Sequence, residues 1–321
     1  MISHEICICT RGRSLSLLEL LDSLAASKGI KDRFIRIVVN GEAPSPELLQ
    51  SIRDKRITEN LNLVVNYSAL GLTKARNFAL DESTSELITF IDDDITVEKN
   101  CFIEIEQFFS LNEKIVGSAP VISGMYSELR NSFFGRLKLS WIRKSYQGKV
   151  SKSGKNFWFI DDLRIPEQTN VMWLPGCCMT YRRSRVDGIR FPEELQNGPT
   201  GGYSLGEDVI FSIRASKFGE LHLNPRTRIF HKKAEGIRDN REIMANALGR
   251  FLAYETREES GHVSTTAASA RLLSELSSLV ARSLLKPKRL IDLNYKLIEL
   301  RGFINELKSP ILVPKGLKRE R

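Results

Sequence analysis

Short apolar runs and amphipathic segments alternate through the first hundred residues, and this alternation restricts the fold more than any other feature. The apolar runs cover residues 5–9, 34–39, 61–65 and 87–91 and are rich in residues that favour β-strands. The segments between them carry apolar residues at helical spacing after a Ser, Pro or Gly that suits a helix start. We therefore predict an α/β fold with a mostly parallel central sheet and flanking helices.

A less regular region follows the fourth run. A helix is predicted around residues 102–109 and a strand over residues 115–121. Residues 123–169 then combine many aromatic side chains with basic and polar ones and show no clear periodicity. Such a long segment is more typical of a functional flap than of a core element.

The α/β pattern ends after a last group of elements. These are a helix over residues 207–218 and a strand pair over residues 220–223 and 228–231. Beyond them the spacing of apolar residues predicts only helices. We therefore divide the chain into an α/β domain over residues 1–238 and a basic, amphipathic helical region over residues 239–321.

Composition narrows the class of protein. Of the 321 residues, 41% are hydrophobic and 27% are charged, which is ordinary for a globular protein. No run approaches the roughly 18 uninterrupted apolar residues of a membrane span, and the N-terminus lacks a basic-then-apolar leader. We therefore predict a cytoplasmic protein. Five cysteines without a CxxC pair or metal-ligand spacing predict reduced, mostly buried thiols.

Positive charge is concentrated at the C-terminus. Residues 286–321 hold ten Lys/Arg and four Asp/Glu, so this tail supplies six of the nine net positive charges. It suits an anionic partner, either a membrane leaflet at the inner face or a nucleic acid, although its few aromatic residues make nucleic acid unlikely. The last helix has an apolar stripe that fits core packing, a partner helix or a membrane interface, and core packing is favoured. The stripe consists of Leu290, Leu293, Leu297, Leu300, Ile304 and Leu307.

Three consecutive carboxylates, Asp92, Asp93 and Asp94, follow the fourth predicted strand directly. Ligands of open α/β sheets bind just beyond the carboxyl ends of the strands. Hard oxygen ligands at such a place suit Mg²⁺ or Mn²⁺, which in turn hold phosphate oxygens. The alternative is a simple Asp-rich turn that caps the next helix.

Other polar residues occur where strands end and helices begin. Thr10 and Arg11 follow the first predicted strand and Asn40 follows the second, where they could bind a nucleotide base. Lys74 and Arg76 lie near a predicted helix start, which suits a diphosphate. Arg76 could instead belong, with Asn77, to an ordinary exposed helix face.

A second acidic pair lies more than a hundred residues later. Glu207 and Asp208 follow Gly206, whose lack of a side chain permits close approach of a substrate. His231 ends the last predicted strand and could be a metal ligand. The alternatives are a helix cap for the acidic pair and a structural histidine.

Taken in order, these motifs resemble glycosyltransferase family 2, whose members are inverting enzymes with a GT-A fold. The resemblance covers about residues 4–235. The matching motifs are Thr10-Arg11, Val38-Val39-Asn40, Gly71 with Ala75-Arg76-Asn77, Phe90-Ile91-Asp92-Asp93-Asp94, Gly176 with Tyr181-Arg182-Arg183, Phe191-Pro192-Glu193-Glu194, Gly206-Glu207-Asp208 with Arg214 and Gly219, and His231.

The resemblance implies a nucleotide-sugar donor, a divalent cation (Mn²⁺ or Mg²⁺) and a role for each acidic group. Asp92 would contact the donor ribose or the metal, Asp94 would ligate the metal, and Asp93 would support them at the donor site. His231 would be a further metal or diphosphate contact. Asp208 would be the general base. The remaining positions are Glu207, which would orient the acceptor, and Trp173, Gly176 and Gly206 in the acceptor region.

The substrates follow less directly from the resemblance. The second strand of this family usually ends in an acid, whereas here it ends in Asn40, which can donate to and accept from a pyrimidine edge. UDP or dTDP sugars are therefore favoured as donors. By analogy the acceptor is a glycan or lipid-linked molecule of surface polysaccharide or glycolipid synthesis. The alternatives are a nucleotidyltransferase and a non-enzymatic nucleic-acid-binding protein.

Overall fold

A computed structural model describes nine stretches of the chain and most of both predicted regions. The predicted boundary at residue 238 and most of the predicted flap fall outside the described residues. The described residues are 2–12, 14–41, 43–123, 148–158, 169–196, 204–232, 241–258, 262–285 and 290–308.

Among the described residues, a nine-stranded mixed sheet forms the centre of the molecule, and a separate two-stranded hairpin lies in the predicted flap. The strands are β1 (His4–Thr10), β2 (Phe34–Asn40), β3 (Leu63–Ser68), β4 (Leu87–Asp92), β5 (Ile95–Val97), β6 (Ile115–Ser123), β7 (Lys149–Val150), β8 (Asn156–Phe157), β9 (Thr169–Asn170), β10 (Cys178–Arg182) and β11 (Glu220–His231). Their order in the sheet is β3-β2-β1-β4-β10-β6-β11-β5, with β9 also paired to β11, and β7 and β8 form the hairpin.

The first four strands confirm the predicted α/β alternation. β1, β2, β3 and β4 are parallel neighbours, and almost all residues of β1, β2 and β4 are buried, as in a sheet that is covered on both faces. All five cysteines are free and buried, as predicted. The other half of the sheet is mixed: β10 runs antiparallel between β4 and β6, and β11 runs parallel to β6 but antiparallel to β5.

The predicted strand pair at residues 220–231 was wrong. One twelve-residue strand, β11, covers this segment and shifts its register with β6 between Asn224 and Arg228. The Asn224 side chain accepts a hydrogen bond from the N–H of Arg226 (3.1 Å), and the Thr227 hydroxyl donates to the Asn224 carbonyl oxygen (3.2 Å). This local bulge interrupts pairing without ending the strand, since a bulge adds residues and bends the chain.

Eight α-helices are present among the described residues. Ser45 caps α2 by accepting a hydrogen bond from the N–H of Leu48 (3.2 Å), which agrees with the Pro-containing helix start. The helices are α1 (Ser14–Ala25), α2 (Pro46–Thr58), α3 (Leu72–Glu82), α4 (Cys101–Leu111), α5 (Glu207–Ala215), α6 (Arg241–Arg257), α7 (Thr265–Leu285) and α8 (Leu290–Lys308).

The apolar stripe of α8 packs against the core only in part, through Leu300 and Leu307. Leu290, Leu297 and Ile304 are exposed, and the buried face of α8 contains Gly302 and Phe303 instead. A Cβ atom at Gly302 would lie 2.7 Å from the backbone oxygen of Asn246 on α6, so the two helices cross in close contact there. None of the described helices has the length and hydrophobicity needed to cross a membrane.

Candidate active site

Three predicted donor-site residues meet at the carboxyl ends of the parallel strands. β1 pairs with β2 and β4, so Thr10 and Asn40 end beside the acidic turn that follows β4. Thr10 donates its hydroxyl hydrogen to Asp93, and the side-chain amide of Asn40 donates to the Thr10 carbonyl oxygen (2.9 Å). All three residues are buried. Asp93 therefore fixes the turn. Of the other predicted donor-site residues, Arg11, which follows Thr10, is exposed, and Lys74 on α3 is half-buried.

Asp92, Asp94 and His231 form a compact cluster. One ligand atom from each lies within 4.8 Å of the other two, and His231 Nε2 is 3.2 Å from Asp94 Oδ1. The cluster arises because β5 pairs with the end of β11, with Ile95 opposite His231. The N–H of Lys232 also donates to the Asp94 carbonyl oxygen (2.9 Å).

The donor set of this cluster fits a divalent cation. Two carboxylates suit Mg²⁺ or Mn²⁺, and an imidazole nitrogen is a common additional ligand in transition-metal sites. Burial raises the pKa of Asp92 to about 6, although the neighbouring Arg76 opposes this. Among the described residues this is the one group of three such side chains that could hold a metal ion together.

The second acidic pair begins α5. Gly206 precedes the helix with φ of 79°, a left-handed conformation that favours glycine. Asp208 accepts hydrogen bonds from the N–H of Gly176 at Oδ2 (2.8 Å) and from the N–H of Val209 at Oδ1 (2.8 Å). Burial and the negative charge of Glu207 nevertheless raise the pKa of Asp208 to about 7. A carboxyl group with such a pKa can take up a proton near neutral pH.

Arg76 connects two acidic pairs, Asp92 with Asp94 after β4 and Glu207 with Asp208 at the start of α5. It is fully buried on α3 and donates from Nη1 to Glu207 (2.8 Å) and from Nη2 to Asp92 (3.3 Å). The carbonyl oxygen of Gly176 accepts a further hydrogen bond from Nη2 (2.8 Å). Burial disfavours the charged form of Arg76, but Glu207 and Asp92 outweigh this and raise its pKa. Arg76, predicted to hold a diphosphate, is thus surrounded by protein groups.

Gly176 reaches this position through sheet topology. β10 returns antiparallel to β4, and the N–H of Asp92 donates to the Cys177 carbonyl oxygen (3.1 Å). The peptide groups of Gly176 therefore lie between Arg76 and Asp208. A Cβ atom at Gly176 would lie 3.0 Å from Arg76 Nη2 and 3.3 Å from Asp208 Cβ, which explains why a glycine fits here.

A clamp holds α3 against the segment after β10. The Asn77 side chain donates to the Phe191 carbonyl oxygen (3.0 Å) and accepts from the Phe191 N–H (2.9 Å). The Phe191 ring stacks on Phe211 of α5 at 4.0 Å between ring centres and makes an edge contact with Phe90 of β4. The helix that carries Arg76 is therefore fixed relative to both acidic pairs.

The predicted acceptor-region residues lie on the α5 side. Trp173 is buried and makes an edge contact with Trp158, at 5.5 Å between ring centres. A Cβ atom at Gly206 would lie 2.1 Å from the ring of Phe251, so α6 packs directly on the start of α5. The sequence does not identify Phe251 or Gln196 as residues beside the site. The Gln196 side chain accepts a hydrogen bond from the Thr73 hydroxyl (2.9 Å), and the partners of both residues are distant in the sequence.

The model of the family described as Glycosyl transferase family 2 matches residues 5–188, more than half of the chain. The chain belongs to this family. It is therefore a glycosyltransferase enzyme, and the nucleotidyltransferase and nucleic-acid-binding alternatives are not supported. A search of curated proteins finds no match to this glycosyltransferase.

Solved structures of other glycosyltransferases share its fold. The mannosyltransferase PcManGT from Pyrobaculum calidifontis, in complex with GDP-Man and Mn²⁺, matches 96% of this chain and 87% of its own, with 14% identity and a TM-score of 0.57. S. aureus TarS 1-349 matches 96% of this chain and 91% of its own, with 16% identity and a TM-score of 0.52. GalNAc-T7 with UDP, GalNAc and Mn²⁺ matches 81% of this chain and 51% of its own, with 15% identity and a TM-score of 0.52. At these identities the likeness establishes the GT-A fold.

Proposed function

We propose that this glycosyltransferase is metal-dependent and inverting, and that it moves a sugar from a nucleotide diphosphate sugar to a hydroxyl group of a glycan or lipid-linked acceptor. The observation that carries the proposal is the pair of contacts that Arg76 makes, with Asp92 on one side and Glu207 on the other. A cluster suited to a cation and a carboxyl group suited to proton transfer thereby belong to one site.

The donor half of the proposal rests on the strand-end cluster. Asp92, Asp94 and His231 are assigned to a divalent cation, Mn²⁺ or Mg²⁺, because their ligand atoms already lie close together. A bound divalent cation supplies the charge that neutralises a departing diphosphate. PcManGT and GalNAc-T7 were solved with Mn²⁺, which agrees with this assignment. The residues assigned to the nucleotide part of the donor are Thr10, Arg11, Asn40, Lys74 and Asp93.

The acceptor half rests on Asp208. An acceptor hydroxyl becomes a stronger nucleophile when a base removes its proton during attack on the anomeric carbon. Asp208 is assigned this role because its raised pKa lets it accept that proton near neutral pH. The N–H groups of Gly176 and Val209 hold its carboxylate in one orientation. Attack opposite the leaving diphosphate in one displacement inverts the configuration of the sugar.

Arg76 is assigned a positioning role instead of the predicted diphosphate contact. Its guanidinium contacts Asp92, Glu207 and the Gly176 carbonyl oxygen. It thereby sets the distance between the two acidic pairs. Glu207 is held by Arg76 beside the base, which supports its proposed role in orienting the acceptor.

The donor base is proposed to be a pyrimidine, in UDP or dTDP sugars, on the basis of Asn40. Incubation with Mn²⁺ and a panel of UDP, dTDP and GDP sugars, followed by assay of released nucleotide diphosphate, tests this assignment. GalNAc-T7 was solved with UDP and PcManGT with GDP-Man, so both base classes belong in the panel.

Removal of Asp94 tests the metal-dependent reaction itself. Asp94→Ala should lower donor hydrolysis by about 100-fold or more, because a catalytic metal supplies several kcal/mol of charge stabilisation. Asp54→Ala, at an exposed position on α2, is the matched control and should behave like the wild type. The proposal is in error if the wild type neither binds nor hydrolyses any donor, or if Asp94→Ala remains fully active.

We also propose that the C-terminal helices bind an anionic membrane, which would hold the enzyme at the inner face of the membrane beside a lipid-linked acceptor. Large apolar side chains are exposed at the end of α7 and the start of α8: Leu284 (81%), Leu290 (57%) and Ile291 (59%). They flank residues 286–289, whose sequence Lys-Pro-Lys-Arg carries three positive charges. Apolar residues beside basic ones suit the interface of an anionic leaflet.

Vesicle sedimentation tests this membrane proposal. The full chain should bind vesicles that contain phosphatidylserine, bind neutral phosphatidylcholine vesicles less, and be released by added salt. A Leu284→Ser/Leu290→Ser/Ile291→Ser variant should bind less well, whereas Leu273→Ser, at an exposed site on α7, is the control. Equal binding to both vesicle types, or none, would contradict the proposal.

A further inference from the structure

A buried glutamate on α6 has no hydrogen-bonding partner in the part of the chain that the structure describes. Glu255 is 1% exposed, and neither of its carboxyl oxygens has a hydrogen-bond donor or acceptor among the described residues. A buried polar group without a partner destabilises the folded protein. A buried acid that lowers the stability of the folded protein is better explained by contact with a ligand than by packing within the chain.

The surroundings of Glu255 connect it to the acceptor side of the site. Phe251, one helical turn earlier on α6, packs its ring against Gly206 at the start of α5. A Cβ atom at Gly154, in the turn of the β7–β8 hairpin, would lie 3.0 Å from Glu255 Oε2. Leu252 and Val263 complete the apolar side of the same contact. Glu255 thus lies where the helical region contacts the β7–β8 hairpin of the predicted flap.

Two other buried polar groups lie close in sequence to the glycines of the site. The indole N–H of Trp173, three residues before Gly176, is buried and unpartnered among the described residues. The hydroxyl oxygen of Ser204, two residues before Gly206, is likewise buried and has no partner in the described part of the chain. A donor, a hydroxyl and an acid that lack partners among the residues the structure describes are what a ligand with several hydroxyl groups would satisfy.

The charged groups near Glu255 favour its neutral form. Burial raises the pKa of Glu255 well above its usual range, and Asp208 and Glu258 raise it further, against the attraction of Arg271 on α7. The guanidinium of Arg271 lies 3.8 Å from Glu299 and donates no hydrogen bond to Glu255. A protonated carboxyl group can both donate and accept a hydrogen bond, as a sugar hydroxyl requires.

We propose that Glu255 is an acceptor-specificity residue, which binds a hydroxyl group of the sugar acceptor as a neutral carboxylic acid, together with Trp173 and Ser204. The inference rests on the proposed function, since it presumes that Asp208 faces an acceptor. This role makes the helical region beyond residue 238 part of acceptor selection. Replacement of Glu255 should therefore leave donor binding and donor hydrolysis unchanged.

Kinetics with simple acceptor probes test this role. Methyl glycosides of common hexoses serve as acceptors, and the donor is the nucleotide sugar that the wild type hydrolyses. Glu255→Leu should raise the KM for the effective glycoside about five- to tenfold, the size expected for one lost hydrogen bond. Donor hydrolysis without glycoside should be unchanged. Glu255→Gln, whose amide donates and accepts, should stay within about twofold of the wild type.

Thermal unfolding gives a second readout that does not depend on the acceptor. Because Glu255→Leu removes a buried, unpartnered acid, its Tm should rise by about 2–4 °C. Glu242→Leu, at an exposed position on the same helix, is the control and should leave both Tm and KM near the wild-type values. A residue that only supports the fold would instead lower the Tm when replaced.

The outcomes separate the two proposals. A lower Tm for Glu255→Leu, or an unchanged glycoside KM with normal donor hydrolysis, would overturn the role of Glu255 alone. A Glu255→Gln variant as impaired as Glu255→Leu would overturn the neutral form. Absence of donor hydrolysis in the wild type would overturn the proposed function and the present inference together.

Discussion

The two acidic pairs of this glycosyltransferase are chemically alike but are held in opposite ways. Asp92 and Asp94 follow a strand of the parallel half-sheet and face the imidazole of His231. Glu207 and Asp208 begin a short helix behind a left-handed glycine, and backbone N–H groups hold Asp208. In the proposed function the first pair binds a cation through its oxygens, and Asp208 of the second pair accepts a proton.

Arg76 shows why both pairs can be buried so close together. Burial raises the pKa of Asp92 to about 6 and that of Asp208 to about 7, and the positive charge of Arg76 opposes both shifts. A single buried guanidinium thus stabilises negative charge on both sides of the site. We therefore expect that replacing an acid of one pair impairs only the function of that pair, whereas replacing Arg76 impairs both donor binding and sugar transfer.

Replacement of the proposed base should have the largest effect. Asp208→Asn keeps the size of the side chain but cannot accept the proton, so sugar transfer should fall by about 10³-fold. Donor affinity, measured by calorimetry with Mn²⁺, should remain within a few-fold of the wild type because the strand-end cluster is intact. Loss of donor binding in Asp208→Asn would show that the two acidic pairs are not separable.

Replacement of the connecting arginine should have an intermediate effect on both halves. Arg76→Lys keeps the charge but loses the forked donors that reach Asp92, Glu207 and Gly176. We expect kcat/KM to fall by about 10- to 100-fold, the cost of hydrogen bonds to charged groups, together with a lower Tm. Arg53→Lys, at an exposed position on α2, is the control. If Arg76→Lys impairs only one of donor binding and transfer, its connecting role is wrong.

The smallest expected difference between the wild type and a variant is a shift in the pH dependence of sugar transfer. The base acts in its ionised form, so the rate should be full above the pKa of about 7 and fall about tenfold per pH unit below it. Glu207→Gln removes a negative charge that raises the pKa of Asp208, so the acidic limb should move to lower pH. The measurement is kcat between pH 5 and 9 at saturating donor. A limb that stays in place or moves upward would exclude electrostatic coupling between the two acids.

Much of the donor half could be predicted from the sequence. Strand residues alternate and end in recognisable polar groups, so Thr10, Asn40, Asp92 and His231 were all expected at strand ends, where the structure places them. The helices predicted at residues 102–109 and 207–218 likewise match α4 and α5 to within a few residues. These features depend on local periodicity and on the rule that ligands meet the carboxyl ends of parallel strands.

The errors involve packing between distant parts of the chain. A bulge at Asn224 keeps β11 continuous where two strands were predicted, and α8 buries Gly302 and Phe303 where its leucine stripe was expected to pack. Helical periodicity identifies an apolar stripe, but only the neighbouring helix decides whether that stripe is covered. With α6 and α8 in close contact at Gly302, Leu300 and Leu307 pack against the core while Leu290, Leu297 and Ile304 stay exposed.

The sequence by itself determined the α/β class, the family resemblance and the acidic groups that carry the proposed chemistry. Only the tertiary structure decided that Arg76 faces Asp92 and Glu207, that Gly176 lies between Arg76 and Asp208, and that Phe251 of α6 packs on Gly206. The physical reason is sequence separation. Arg76 meets Glu207 across 131 residues, and local periodicity carries no information about a contact over such a separation.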